Sequence, residues 1–154
     1  MRKRFTLLAL TAVGLAAPAA ATAATPVDAV KADAAKLQTD VTTARTTIVA
    51  DLQKLIADAG TAKTMPKADA KALIKSDVAK LRADRQAAQT AIKADRAQLK
   101  TDRASAKNVA GAKAELAPTL KSLRQSVRQA EKAIRVELRQ ARQALRQLRA
   151  SFKK

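Results

Sequence analysis

The side chains that could carry chemistry in this chain are carboxylates and cations, because the sequence contains no His and no Cys. The commonest general base and the thiolate nucleophile are therefore both missing. A glycine-rich phosphate loop is also missing, since only Gly60 and Gly111 follow the first 24 residues. We therefore expect a protein that is not an enzyme, with no catalytic residue and no cofactor.

The aspartates recur in two long segments at steps of mostly 7 and 11 residues. Residues that far apart on one straight helix are separated by about 10–16 Å, too far to share a substrate or a metal ion. One 7-step plus one 11-step is five helical turns, so these aspartates share one flank of their helix. We interpret them as a structural ion-pair flank built on a degenerate 18-residue repeat, and we expect no metal site. The flank comprises Asp33, Asp40, Asp51, Asp58, Asp84, Asp95 and Asp102.

A stripe of arginines runs through the C-terminal segment, beside apolar residues spaced 3 and 4 apart from Leu116 to Phe152. Residues 112–154 hold 12 bases and three acids. The forked guanidinium group pairs bidentately with phosphate and carboxylate, so the stripe predicts an anionic polymer or anionic membrane surface as partner. Sequence-specific nucleic-acid recognition is not expected, because Phe5 and Phe152 are the only aromatic residues. The candidate polyanion-binding residues are Arg124, Arg128, Arg135, Arg139, Arg142, Arg146 and Arg149.

Three apolar seams with helical period position these charges. They predict helices over about 26–59, 66–110 and 118–152, each opening near a proline, with glycines after the first two. Short connections favour antiparallel neighbours, so the predicted fold is all-α: an elongated antiparallel three-helix coiled-coil bundle of long helical hairpins. We expect residues 25–154 to form one domain. Alanine fills much of each seam and Arg85 interrupts the second, so we expect a thin core without a ligand-sized pocket.

The charged flanks discriminate between the two handednesses of such a bundle. One handedness sets the aspartates of helix 1 against the bases of helix 3, and the other sets aspartate against aspartate and base against base. Exposed pairs contribute only about 0.2–1 kcal/mol each, but many consistent pairs can select a topology. We predict the first arrangement, which would engage part of the arginine stripe and leave the run from Arg135 to Arg146 as the free surface.

The first 24 residues have the pattern of a secretion signal. Three bases precede an apolar run that is shorter than the ~20 residues of a membrane span, and small residues follow Pro18. Cleavage near Ala23 or Ala24 would leave 28 bases and 13 acids, a net charge of +15. We expect residues 1–24 to be removed and the protein to be secreted, periplasmic or held in the cell envelope.

Three functions remain open on sequence grounds. The first is a secreted interaction or structural protein whose basic C-terminal helix binds anionic envelope or extracellular polymers. The second is an envelope or periplasmic chaperone, or a stress-protective helical protein. The third is a solvated coiled-coil spacer with no polyanion ligand. The apolar seams also permit a homo-oligomer.

Overall fold

The computed structural model describes residues 25–153, which form three long α-helices and, within that range, no β-strand. Helix α1 spans Pro26–Thr61, α2 spans Lys67–Ala106 and α3 spans Ala112–Ser151; a 3₁₀ turn, Ala62–Thr64, follows α1. At 36, 40 and 40 residues, each helix is about 54–60 Å long. The predicted all-α helical bundle is confirmed. The predicted signal segment, residues 1–24, lies outside the described residues.

The helices run up, down and up. Lys54 of α1 pairs with Asp77 of α2, whereas Lys36, further back along α1, pairs with Asp95, further on in α2. This inverse order makes α1 and α2 antiparallel. Two contacts between α1 and α3, Lys31 with Glu115 and Gln53 with Glu137, share one offset of 84 residues, which makes α1 and α3 parallel.

Helix α1 is the centre of the packing. It has ten buried residues, against six in each of the other helices, and its Leu52 and Val30 are the largest side chains that are fully buried. Close backbone approach joins α1 to both α2 and α3, whereas α2 and α3 scarcely approach each other. The α2/α3 side is therefore the more open side of the bundle, although apolar side chains of both helices join the same clusters there.

The helix ends differ from the predicted bounds in ways that local chemistry explains. Thr25 and Asp28 form a capping box that starts α1. Gly60 lies inside α1 rather than after it. Helix α3 begins at Ala112, so Pro118 lies inside the helix, where its missing N–H removes one backbone bond without ending the helix. Gly111, with φ of +78°, precedes α3 and makes the reversal from α2.

Candidate functional site

The interface between α1 and α2 is lined by lysines that each hold two aspartates. In each ion-pair group, a Lys bonds to the Asp four residues later on its own helix and to an Asp of the other helix. The three groups are Lys36 with Asp40 and Asp95, Lys54 with Asp58 and Asp77, and Lys80 with Asp84 and Asp51. Lys54 lies 2.7 Å from Asp77, and Lys80 lies 2.7 Å from Asp84.

The cross-helix aspartate of every group is buried. Asp51, Asp77 and Asp95 are each only 7% exposed, and burial of a carboxylate is costly unless it is paired. Each lysine side chain is itself more than half exposed, at 54–61%. The lysines therefore compensate charges that would otherwise oppose the pairing of α1 with α2.

The pKa values of these groups follow from the pairing. The hydrogen bonds that Lys54 donates to Asp58 and Asp77 raise the pKa of its ammonium group. Hydrogen bonds from lysine also hold the pKa of two aspartates below the usual range. The leading cause is the bond from Lys54 for Asp58 and the bond from Lys80 for Asp84. Both partners are thus held in their charged forms at neutral pH.

A fourth group has the same geometry but no lysine. Asp33 and Asp102 face each other, and the residue four before Asp102 is Gln98, whose side-chain N–H donates to Asp102 at 3.1 Å. A hydrogen bond with Asp102, then burial, then the charge of Asp102 raise the pKa of Asp33. The two carboxyl groups therefore compete for a proton instead of sharing a cation.

One sequence signal marks these groups more clearly than the spacing of the aspartates alone. The segments Lys36–Asp40, Lys54–Asp58 and Lys80–Asp84 all read Lys-Leu-x-x-Asp, and Gln98–Asp102 reads Gln-Leu-Lys-Thr-Asp. The first two lie 18 residues apart, as do the last two. The predicted ion-pair flank does not include the lysines or Asp77. Spacing along a single helix defines that flank, whereas the observed groups form between two helices.

The predicted handedness is wrong. The aspartate flank of α1 lies against the aspartate flank of α2, not against the bases of α3. The predicted arrangement assumes that each flank is a row of like charges, whereas lysines alternate with the aspartates along these flanks. Because one lysine can bridge two carboxylates, the like-flank arrangement is well compensated, and the weak exposed pairs that favoured the alternative do not decide the topology.

The arginine stripe of α3 is consequently left outside the ion-pair groups. All seven candidate arginines are exposed. Within the described residues, the one ion pair of the stripe joins Arg135 to Glu131 over 3.6 Å, with both side chains mostly in solvent. The expectation that part of the stripe pairs with aspartates of helix 1 is therefore also wrong, and the free basic surface extends from Arg124 to Arg149 rather than over its middle alone.

The open α2/α3 side contains two apolar depressions with cationic rims. The central one has a volume of about 440 Å³ and reaches the floor provided by α1 at Val41 and Ile48. The other, of about 380 Å³, lies near the end of α3 around Leu145 and Phe152. Both volumes fall in the range of small-molecule sites, about 300–1,000 Å³, so the expectation of no ligand-sized pocket is wrong.

The part of the chain that the structure describes contains no group of three or more His, Cys, Asp or Glu side chains placed to hold a metal ion. In the same range, no helix is both long and apolar enough to cross a membrane. Comparison with known proteins matched the chain to no protein-family profile, no curated sequence and no solved structure.

Proposed function

We propose that this chain is an exported, non-enzymatic helical protein that binds anionic polymers or surfaces of the cell envelope through the arginine stripe of α3. The observation that supports this most directly is the exposure of all seven arginines while the aspartates of the bundle are held by lysines at the other side of α1. The bundle thus separates its charges, with the carboxylates partly buried and the guanidinium groups in solvent.

Bases of α2 extend the same face. Lys71, Arg85 and Arg96 border the two depressions that α2 shares with α3. At the terminal depression the bases of α2 lie opposite Arg149 of α3, whereas at the central depression the charged residue on the α3 side is Glu131. A surface of this kind concentrates positive potential and favours a ligand with many negative charges over one with a single charge.

The chemistry of the stripe fits repeated phosphate, sulfate or carboxylate groups. Arginine forks bind such groups bidentately, and a polyanion gains further from the release of its counterions. Recognition would depend on charge spacing rather than on base identity, because the chain has no Tyr or Trp on which bases could stack.

The test compares binding to heparin, polyphosphate and anionic vesicles at 0.05–0.3 M salt. Each phosphate contact that is lost should flatten the slope of log affinity against log salt by roughly 0.7–0.9. The variant Arg128→Gln/Arg139→Gln should therefore bind more weakly and with a slope smaller by about 1.5. The control restores net charge elsewhere by adding Thr42→Lys and Thr46→Lys, two exposed positions of α1.

The control separates a defined surface from a general effect of net charge. If binding depends on the stripe, the charge-restored variant stays as weak as the double arginine variant. If it returns to the wild-type affinity, the stripe is not the site. Suppression of client aggregation that persists at high salt would instead favour the chaperone alternative, and no binding in either assay would favour the spacer.

A further inference from the structure

The central depression of the α2/α3 side arises because one layer of the core is made of alanines. Ala44, Ala88 and Ala130 come from the three helices and line the same cavity. Larger buried residues flank this layer: Leu99 and Leu123 towards one end, and Leu81 towards the other. The depression is lined by residues 41–48 of α1, 85–96 of α2 and 127–134 of α3, so its length is bounded at about 11–17 Å of helix.

The walls of this cavity are apolar and its rim is cationic. Ile48, Ile92 and Ile134 contribute apolar surface from all three helices. The charged side chains that line it are Arg45, Arg85, Lys93, Arg96 and Glu131, four cations and one carboxylate. An uncharged apolar ligand would not compensate the excess positive charge of the rim, and a soluble polyanion would not fill the apolar interior.

We propose that the central cavity binds one monomeric, single-chain anionic amphiphile, with its hydrocarbon chain among the isoleucines and its carboxylate or phosphate head group at Arg85, at one end of the cavity. The bounded length of the cavity favours a single hydrocarbon chain over an amphipathic helix of a partner, which would need a continuous groove. Arg85 occupies a position on the seam of α2 and remains exposed at the opening. Its fork is suited to pair with a carboxylate or phosphate.

The ligand would be distinct from the polymer bound by the arginine stripe. Its affinity rests mainly on apolar burial, which salt does not screen, whereas polymer binding rests on exposed charge. Filling the void should also stabilise the bundle, since a ligand that binds only the folded state raises its melting temperature.

The test titrates the protein with laurate and dodecyl phosphate, below their micelle concentrations, by calorimetry and thermal melting. Ala88→Leu fills the cavity from α2 and is expected to weaken laurate at least tenfold while raising the melting temperature without ligand. Ala83→Leu, at an exposed alanine of the same helix that is not among the residues lining the central cavity, is the matched control and should bind as the wild type does.

Arg85→Gln tests the head group and remains informative if Ala88→Leu perturbs the fold. This change should weaken the binding of laurate about tenfold. We expect the wild type to bind uncharged dodecyl maltoside at least tenfold more weakly than laurate, and the change should leave that weaker binding unaltered. Laurate binding that is equal in Ala88→Leu and Ala83→Leu would overturn the proposal, as would binding to anionic vesicles with none to monomeric laurate. Ala88→Leu should leave heparin binding unchanged. A protein that binds heparin but not laurate would therefore refute only the amphiphile proposal, and one that binds laurate but not polyanions would refute only the polymer proposal.

Discussion

The fourth ion-pair group offers a direct test of the role of lysine between α1 and α2. The change Gln98→Lys places a cation four residues before Asp102, the position that Lys80 has relative to Asp84. The new ammonium group can then bond to Asp102 and across the interface to Asp33, as Lys80 bonds to Asp84 and Asp51. We expect the substitution to stabilise the bundle.

The magnitude follows from the surroundings of the two carboxylates. A pair four residues apart on an exposed helix contributes about 0.3–0.5 kcal/mol, and a second, cross-helix pair up to about 1 kcal/mol. The free energy of unfolding should therefore rise by about 1 kcal/mol at pH 7, which is roughly a 4 °C increase in melting temperature for a domain of this size. Gln98→Met, of similar length but without charge, should change it little.

The pH dependence of the gain has a definite sign. In the wild type the folded state raises the pKa of Asp33, so ionisation of this group costs stability as pH rises through its folded pKa. In the Gln98→Lys variant the carboxylate would be favoured instead, which adds stability above the unfolded pKa of about 3.9. Both effects act in the same direction, so the advantage of Gln98→Lys should be full at pH 7 and should shrink as pH falls below the unfolded pKa of about 3.9.

The stability gain can be measured by urea or thermal unfolding at several pH values. A double-mutant cycle with Asp33→Asn then isolates the contribution of the cross-helix pair. Asp33→Asn alone should stabilise at pH 7, because the amide resembles the protonated acid and removes the competition with Asp102. In that background the introduced lysine retains only its pair with Asp102, so the gain from Gln98→Lys should drop to at most about 0.5 kcal/mol. The reasoning fails if Gln98→Lys and Gln98→Met are equivalent at pH 7, or if the gain is unchanged by Asp33→Asn.

Three further changes test other parts of the structure by the same unfolding measurements. Lys80→Gln should remove the cation of the third group and lower the melting temperature at pH 7. The hydrogen bond from Lys80 lowers the pKa of Asp84, so the deficit should shrink as pH falls below about 4 and Asp84 becomes protonated; a deficit that is constant with pH would contradict this. Gly60→Ala should raise the free energy of unfolding by about 0.5–1 kcal/mol, because this glycine is helical with open space around it. Gly111→Ala should lower it by about 1–2 kcal/mol, because the φ of Gly111 is positive; equal effects of the two changes would refute these backbone assignments. Leu52→Ala, in the fully buried centre of α1, should cost about 3 kcal/mol, and a cost under 1 kcal/mol would contradict the packing described.

The helices and their seams could be predicted because periodicity acts within each helix. The apolar steps of 3 and 4 residues located all three helices, and the positions that they mark, such as Val30, Leu52 and Leu123, are buried as that pattern requires. The helix starts were less predictable. Pro118 indicates a start because proline is favoured in a first turn, but the helix begins at Ala112 and tolerates the missing hydrogen bond.

The charged flanks were harder to interpret because their partners are chosen between helices. The separation of Asp33 from its neighbours along α1 excluded a shared site on one helix, yet the antiparallel pairing sets it against Asp102. Likewise, the alanines of the seam suggested a uniformly thin core. The central cavity lies where Ala44, Ala88 and Ala130 coincide in one layer, and that coincidence depends on helix register.

The placement of the lysines accounts for the asymmetry of the whole bundle. Because Lys36, Lys54 and Lys80 compensate the aspartates, α1 and α2 can pair along their acidic flanks. The cations that line the central depression come from α1 and α2, namely Arg45, Arg85, Lys93 and Arg96, and α3 contributes Glu131. The same arrangement thus leaves the arginine stripe of α3 outside the ion-pair groups and exposed, and it gathers four cations at the rim of the central depression, where an anionic ligand would lower their mutual repulsion.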